Sequence, residues 1–195
     1  MEIARAAAGL FVARGLKATR AEDIAQAAGI APRTFYRYFA TKEEAVAPLY
    51  AAGAQRWAEA VRAAPPELPV PEALAHAVRH TLVPGRGVSA ASWEWVRTLI
   101  RLAATSPALG KVWAEVCHES EGTLAEILRA RLSPGATSAP TPHERFTAAV
   151  AGAAVRVAVE SWATTHAPAT GPEGPAELAL HNLRALRTFT WLEEG

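Results

Sequence analysis

The chain has 195 residues, of which 50% are hydrophobic and 20% charged, so it fits one domain or two small ones and is not a disordered tail. With 20 basic and 19 acidic side chains the net charge is only +1, and any nucleic-acid contact must come from a local patch. The single cysteine, Cys117, excludes an internal disulfide and a cysteine-based zinc site.

The composition also bears on location and fold class. No stretch approaches the roughly 18–20 apolar residues of a membrane span. The first residues, Met1 to Arg5, lack the basic and apolar regions of a secretory signal, so a cytoplasmic location is expected. Abundant alanine without β-branched runs predicts an all-α fold.

Three helices are predicted near the start of the chain. Apolar residues recur at helical spacing over residues 2–14, and Gly15 follows as a stop. Thr19 and Glu22 form a capping-box pattern that opens a short helix to about Ala28. Gly29 is suited to the left-handed exit from that helix, and a third helix runs from Pro32 to about Phe39.

Six further helices are predicted beyond this point. A second capping-box pattern at Thr41 to Glu44 opens a long helix to about Ala64, in which Pro48 predicts a kink. Ser89 or Ser92 is suited to cap the helix that ends near Ala104. The other predicted helices cover about residues 71–83, 106–132, 142–166 and 175–191, with loops at 84–87, 133–142 and 168–175.

The segment 15–42 carries the most functional information, because two short helices joined by a glycine-containing turn are the signature of a helix-turn-helix. Phe35 and Phe39 are four residues apart and share the face that anchors the second helix to the core. The outer face then carries side chains of the kinds that contact bases and phosphates, namely Arg33, Thr34, Tyr36 and Arg37. A helical hairpin with no DNA function would show the same spacing.

Residues 3–49 resemble the DNA-binding domain of TetR-type transcriptional regulators. The resemblance rests on a gapless pattern that includes Asp23-Ile24-Ala25, Ala28-Gly29-Ile30, Thr34 to Phe39 and Lys42-Glu43. It implies an all-α protein in which an N-terminal three-helix helix-turn-helix head, residues 1–46, sits on a larger helical ligand-binding and dimerisation body, residues 47–195.

The resemblance also implies which residues meet DNA. Tyr36 and Lys42 would each contact a phosphate, and the supporting helix would begin at Thr19 and Arg20. The chain has Arg20 where the family usually has threonine or serine, and Ala31 at a cap position where the family has a hydroxyl, a change worth about 1 kcal/mol of helix stability. The complete predicted set is Thr19, Arg20, Arg33, Thr34, Tyr36, Arg37 and Lys42.

The body offers candidates for binding a small apolar or aromatic effector, since aromatic-lined clefts suit such ligands. These candidates are Trp93, Trp95, Trp113, His118 and Trp162, although each tryptophan is equally suited to ordinary core packing. His76 and His80 have the spacing of a metal pair but no apparent third ligand. Cys117 beside His118 permits a redox or metal sensor, whereas a buried small hydrophobe is the simpler interpretation. We predict no cofactor and no metal.

Two segments near the C-terminus, about residues 143–166 and 175–191, are predicted to form the interface of a homodimer. Small residues over 148–154 allow close helix packing, and Leu178, Leu183, Leu186 and Phe189 recur at helical spacing. Packing within a single chain would use the same pattern. A dimer is favoured because two-fold DNA sites call for two-fold proteins.

The predicted function is a DNA-binding transcriptional regulator, a ligand-released repressor that acts as a homodimer on a palindromic operator. An enzyme is the second class considered, but the sequence contains no nucleophile elbow, phosphate-binding glycine loop or metal triad. A protein-interaction module that has lost DNA binding is the third class. Steep salt dependence separates a regulator from such a module.

Overall fold

A computed structural model of the chain describes residues 1–83, 85, 90–135 and 137–186. All regular structure in these residues is helical, as the composition predicted. A 3₁₀ turn, Glu44–Val46, precedes the fourth helix. The α-helices in chain order are α1 Glu2–Arg14, α2 Ala21–Ala27, α3 Pro32–Tyr38, α4 Ala47–Ala63, α5 Val70–Thr81, α6 Ala90–Thr105, α7 Pro107–Leu132, α8 Pro142–Thr164 and α9 Pro175–Ala185.

The predicted cap of the second helix is wrong by one residue. Arg20, not Thr19, is the N-cap of α2, and its backbone N–H donates to the carboxylate of Asp23 at 2.8 Å. Thr19 is only 1% exposed, and its hydroxyl donates to the carbonyl oxygen of Gly15 at 2.9 Å. The threonine therefore ties the preceding turn to the end of α1 instead of capping α2.

The predicted start of the long helix is also wrong. Thr41 does accept a hydrogen bond from the backbone N–H of Glu44 at 3.3 Å, but the chain then forms the 3₁₀ turn and α4 begins only at Ala47. Pro48 consequently lies in the first turn of α4, where its missing N–H breaks no helical hydrogen bond. The kink predicted inside a helix at Pro48 does not form.

Helices α5, α7, α8 and α9 begin within one residue of their predicted starts, and α6 begins at Ala90. Ser106 caps α7 and Thr141 caps α8, where the Thr141 hydroxyl accepts from the Glu144 N–H at 3.2 Å. Ser92 lies inside α6 instead of capping it. The alternative cap Ser89 and the predicted end of the last helix, residues 187–191, lie outside the described residues.

Two groups of buried apolar side chains form the core. One group joins α1 to α3 with α6 and with parts of α4, α7 and α8, and it includes Phe11, Phe35 and Trp162. The other joins α4, α5, α7, α8 and α9 around Leu74 and Leu128. The first group crosses residue 46, so the division into 1–46 and 47–195 remains a proposal. No helix in the described part of the chain is long and apolar enough to cross a membrane.

Arg131 closes the end of α4 from the neighbouring helix α7. Its guanidinium donates to the carbonyl oxygens of Val61, Ala64, Pro65 and Leu68 at 2.7–3.4 Å. The last carbonyls of a helix have no partners within the helix and carry partial negative charge. A single cation therefore satisfies the end of α4 and the turn that leads to α5.

Candidate DNA-binding surface and ligand chamber

The hairpin of α2 and α3 is shaped by one glycine and one buried aromatic side chain. Gly29 has φ of 68°, which other residues rarely adopt, and the N–H of Ile30 donates to the carbonyl of Ala25 at 2.9 Å across the turn. Phe35 is fully buried, and its ring centre is 5.5 Å from that of Phe39. These contacts fix which face of α3 points outward.

Polar and aromatic side chains cover that outer face. Arg33, Tyr36 and Arg37 are exposed as predicted, whereas Thr34 is half-buried. Tyr38, which the sequence analysis did not select, is 61% exposed, and the guanidinium of Arg37 lies 5.0 Å from its ring centre. Its position immediately after Arg37, four residues from Thr34, is the signal that would have included it.

Tyr36 is already hydrogen-bonded to the supporting helix. Its hydroxyl donates to a carboxylate oxygen of Glu22 at 3.2 Å, and this hydrogen bond raises the pKa of Tyr36 above its ordinary value. The phenol therefore stays a proton donor across the physiological range. The same contact shows that the first turn of α2 borders the outer face of α3.

Two predicted DNA contacts have other partners in this structure. The Thr19 side chain is buried, as described above, so its predicted side-chain contact with DNA conflicts with the geometry. The ammonium of Lys42 donates to the carbonyl oxygens of Leu16 and Thr19 at 2.7 and 2.8 Å. Lys42 thus holds the turn between α1 and α2, and its phosphate contact remains a prediction. Arg20 is exposed.

A cavity of about 610 Å³ opens among α4 to α8, and we call it the chamber. Its wall includes four aromatic side chains, namely Tyr50, Trp57, Trp93 and Trp113. The ring of Tyr50 packs edge-on against Trp113, with centres 5.0 Å apart. A cavity of this size with an apolar wall suits a small organic ligand.

Half of this aromatic wall could be predicted from the sequence. Trp93 and Trp113 line the chamber as predicted, and Tyr50 and Trp57 were missed. Tyr50 and Trp57 are seven residues apart, two turns of α4, and that spacing is the signal that would have placed them on one face.

The other three predicted ligand contacts lie outside the wall. Trp162 is fully buried beneath Trp93 and donates its indole N–H to the carbonyls of Ala167 and Pro168 at 3.2 Å. Trp95 is 41% exposed and faces α1. The His118 side chain is 88% exposed, beside Glu121. Burial in the core and orientation toward solvent exclude all three from the wall.

The histidine pair and the cysteine also adjoin the chamber. His76 and His80 stack in parallel with ring centres 6.4 Å apart, and no group of three potential metal ligands occurs within the described residues. Burial raises the pKa of Cys117 to about 12, although the charge of Arg156 opposes the shift. The thiol therefore stays protonated, which fits a small apolar wall residue better than a redox sensor.

Comparisons with known proteins agree with this arrangement. Residues 3–47 match the family model described as bacterial regulatory proteins of the tetR family. The chain is 32% identical over 166 residues to the HTH-type transcriptional regulator TcmR of Streptomyces glaucescens, across 83% of this chain and 71% of that protein. It is 49% identical over 45 residues to the HTH-type transcriptional repressor KstR2 of Mycobacterium tuberculosis, across 23% of this chain and 22% of the other.

Solved structures show the same fold. FadR from Thermus thermophilus, a TetR-family repressor crystallised with lauroyl-CoA, superposes with a TM-score of 0.63 at 23% identity, covering 100% of this chain and 96% of that one. AlkX from Dietzia superposes with a TM-score of 0.57 at 20% identity, covering 97% and 96%. At these identities the likeness concerns the fold alone.

Proposed function

Because the chain belongs to the TetR family of bacterial DNA-binding regulators, we propose that it is a ligand-released repressor that binds a palindromic operator as a homodimer. The observation that carries this proposal is the outer face of α3, where Arg33, Tyr36 and Arg37 are exposed on a helix anchored by buried Phe35. Members of this family are regulators and not enzymes. A regulator of this kind works on DNA, so we place the protein in the cytoplasm.

The outer face supports binding in the major groove. Arginine pairs with guanine edges and phosphates, and tyrosine donates to phosphate oxygens. The first turn of α2 brings exposed Arg20 to the border of the same surface. We propose Arg33, Thr34 and Arg37 as groove residues, and Arg20, Tyr36 and Lys42 as residues directed at phosphates.

The DNA test begins with selection of bound sequences from a random pool, followed by affinity measurements at two salt concentrations. We expect a palindromic winner with a steep salt slope. Arg37→Ala should weaken binding by about fivefold to a hundredfold, whereas Arg62→Ala, an exposed arginine on α4, should leave it unchanged. No enrichment at low salt would contradict the proposal and favour a protein-interaction module.

An apolar stripe on α8 supports the dimer. Val150, Ala153 and Val157 follow one another at helical spacing, and Val157 is 44% exposed. Val150 and Ala153 are half-buried in the single chain, and apolar stripes that stay partly exposed are covered in oligomers. We propose that residues 143–166, together with 175–191, pair with the same segments of a second copy; residues 187–191 of this interface lie outside the described part.

Sedimentation equilibrium tests the dimer. Val157→Glu should shift the protein from dimer to monomer, because it introduces a charge into the proposed interface. Val12→Glu, at an exposed valine on α1, is the matched control and should leave the mass unchanged. A wild-type monomer at the concentration that binds operator would refute this part of the proposal.

A route from the chamber to the head runs along α6. Trp93, Val96 and Ile100 of α6 line the chamber, and Trp95 of the same helix lies against α1 at Gly9. A ligand that shifts α6 would therefore change the position of α1 and the separation of the two recognition helices, which must be about 34–36 Å to enter successive major grooves. Trp95→Ala should reduce ligand-induced release of operator without weakening binding of the ligand itself.

A further inference from the structure

Two arginines hold helix α6 against the C-terminal end of α8. Arg97 and Arg101 are four residues apart and therefore share one face of α6. The guanidinium of Arg101 donates to the carbonyl oxygens of Ala163 and Thr165 at 2.5 and 2.8 Å. The last carbonyls of a helix carry partial negative charge and have no partners within the helix. The charge of Arg101 consequently attaches α6 to the end of α8.

The other arginine of this face, Arg97, is a buried cation. It is 7% exposed, and its guanidinium donates to the carbonyl oxygen of Ala167, in the turn that follows α8. Its guanidinium carbon lies 4.2 Å from the centre of the Trp162 ring. No carboxylate of the described residues forms an ion pair with Arg97. Since burial of an unpaired charge is costly, stability by itself would favour an apolar side chain at this position.

Helix α6 contacts three functional parts of the molecule. Trp93 and Ile100 line the chamber, and Trp95 lies against α1 at Gly9. Arg97 contacts the end of α8, the helix that carries the proposed dimer stripe. The contacts of Arg97 therefore link the position of the head to the helix of the proposed dimer interface.

We propose that Arg97 is a positioning residue for operator binding, which holds α6 at the place on α8 that sets the separation of the two recognition helices. This inference rests on the proposed binding of a palindromic operator by a homodimer. The recognition helices enter successive major grooves only when they are about 34–36 Å apart. Without the contacts of Arg97, α6 and the head would take up a wider range of positions. The fraction of dimers whose heads fit the operator would then fall.

The substitution Arg97→Met separates positioning from stability. Methionine is an unbranched, flexible side chain that fills apolar space without a charge. The Ala167 carbonyl would still accept from the indole N–H of Trp162 at 3.2 Å, so the variant leaves no acceptor without a donor. We expect the urea midpoint of unfolding to stay at or above that of the wild type. Operator affinity should nevertheless fall by about threefold to thirtyfold, the size of one hydrogen bond from a charged group.

Arg131 offers a matched control, because its guanidinium also donates to carbonyl oxygens at a helix end. Its acceptors include Ala64 and Pro65, at the end of α4, and they lie outside the contacts between α6 and α8. Arg131→Met should lower the urea midpoint, whereas the operator affinity of the folded protein should equal that of the wild type. Fluorescence anisotropy measures the affinity of each variant for the selected operator.

The distance between two spin labels gives a readout that a purely structural role would not change. Val12 is exposed on α1, and Val12→Cys in a Cys117→Ser background places one label on each head of the dimer. Electron paramagnetic resonance then measures the separation of the heads without DNA. We expect a narrow distribution of distances when Arg97 is present and a broader one in Arg97→Met.

The outcomes separate this inference from the proposed function. Wild-type operator affinity in Arg97→Met, or an unchanged distribution of distances, would overturn the inference. Parallel losses of affinity and stability would also overturn it, because a structural residue predicts that pattern. If the wild-type protein selects no DNA sequence, the regulator proposal fails, and the spin-label distances still test Arg97. If wild-type labels show no dipolar distance, the protein is a monomer and both the dimer and the role of Arg97 are wrong.

Discussion

The hydrogen bond between Tyr36 and Glu22 allows a direct test of the predicted phosphate contact. The phenol now donates to the Glu22 carboxylate at 3.2 Å, and a DNA phosphate would have to accept the same proton. Glu22 and DNA therefore compete for Tyr36. Removing the carboxylate should tighten operator binding, which is the opposite of what loss of a positioning residue would do.

The expected gain has two parts. Because the exposed hydrogen bond to Glu22 must break when DNA binds, it lowers the affinity for DNA by about twofold to tenfold. If the phenol lies between the two oxygens, the carboxylate and the phosphate are about 6 Å apart, a repulsion worth about threefold in water before screening by salt. The hydrogen bond to a carboxylate already includes part of the charge interaction, so the two factors do not multiply in full, and we expect Glu22→Ala to tighten binding by about threefold to tenfold per head.

Two substitutions separate the contribution of the hydrogen bond from that of the charge repulsion. Glu22→Gln removes the charge but keeps an acceptor for the phenol, so it should recover only the smaller, salt-sensitive part. Glu22→Ala removes both. In a Tyr36→Phe background, the two variants should bind alike, because no phenol remains to be released.

Fluorescence anisotropy with the selected operator, at about 50 and 200 mM salt, measures these affinities. Thermal unfolding is the control, because Glu22 also lies in the first turn of α2, where a negative charge favours the helix. If Glu22→Ala weakens binding as much as Tyr36→Phe in a protein that stays folded, the carboxylate positions the phenol and does not compete with DNA for it.

Three further predictions concern stability. Lys42→Ala should lower the melting temperature as well as DNA affinity, because the carbonyls of Leu16 and Thr19 lose their donor. Circular dichroism measures the melting temperature, and an unchanged value would show that these contacts do not stabilise the fold. Arg131→Ala should lower the free energy of unfolding by about 2–3 kcal/mol in urea titration, because it uncovers the end of α4; a loss under about 0.5 kcal/mol would show that water replaces the guanidinium. Burial raises the pKa of Tyr50, so the folded state keeps a proton that the unfolded chain loses above about pH 10, and the free energy of unfolding must fall as pH rises beyond that point. Tyr50→Phe should make this fall less steep. An equally steep fall in the variant would show that other groups cause it.

Local sequence patterns were sufficient to predict most of the helices and the outer face of α3. Gly29 followed by Pro32 determines a turn and a new helix, because each residue restricts its own backbone. Phe35 and Phe39 identify the buried face by spacing alone. Pro107, Pro142 and Pro175 begin their helices as predicted, since proline is tolerated in the first helical turn.

Contacts between segments that are distant in sequence determine the features that local patterns did not predict. The motif around Thr19 indicates a cap, but the structure turns this hydroxyl inward to Gly15, and it places the Lys42 ammonium on carbonyls 23 and 26 residues away. Trp93 and Trp162 both lie in predicted helices, but Trp93 lines the chamber and Trp162 is buried beneath it. Helical periodicity determines which residues share a face of one helix. Which helix covers that face, and whether a cavity remains between them, depends on how the side chains of five helices fill the space together.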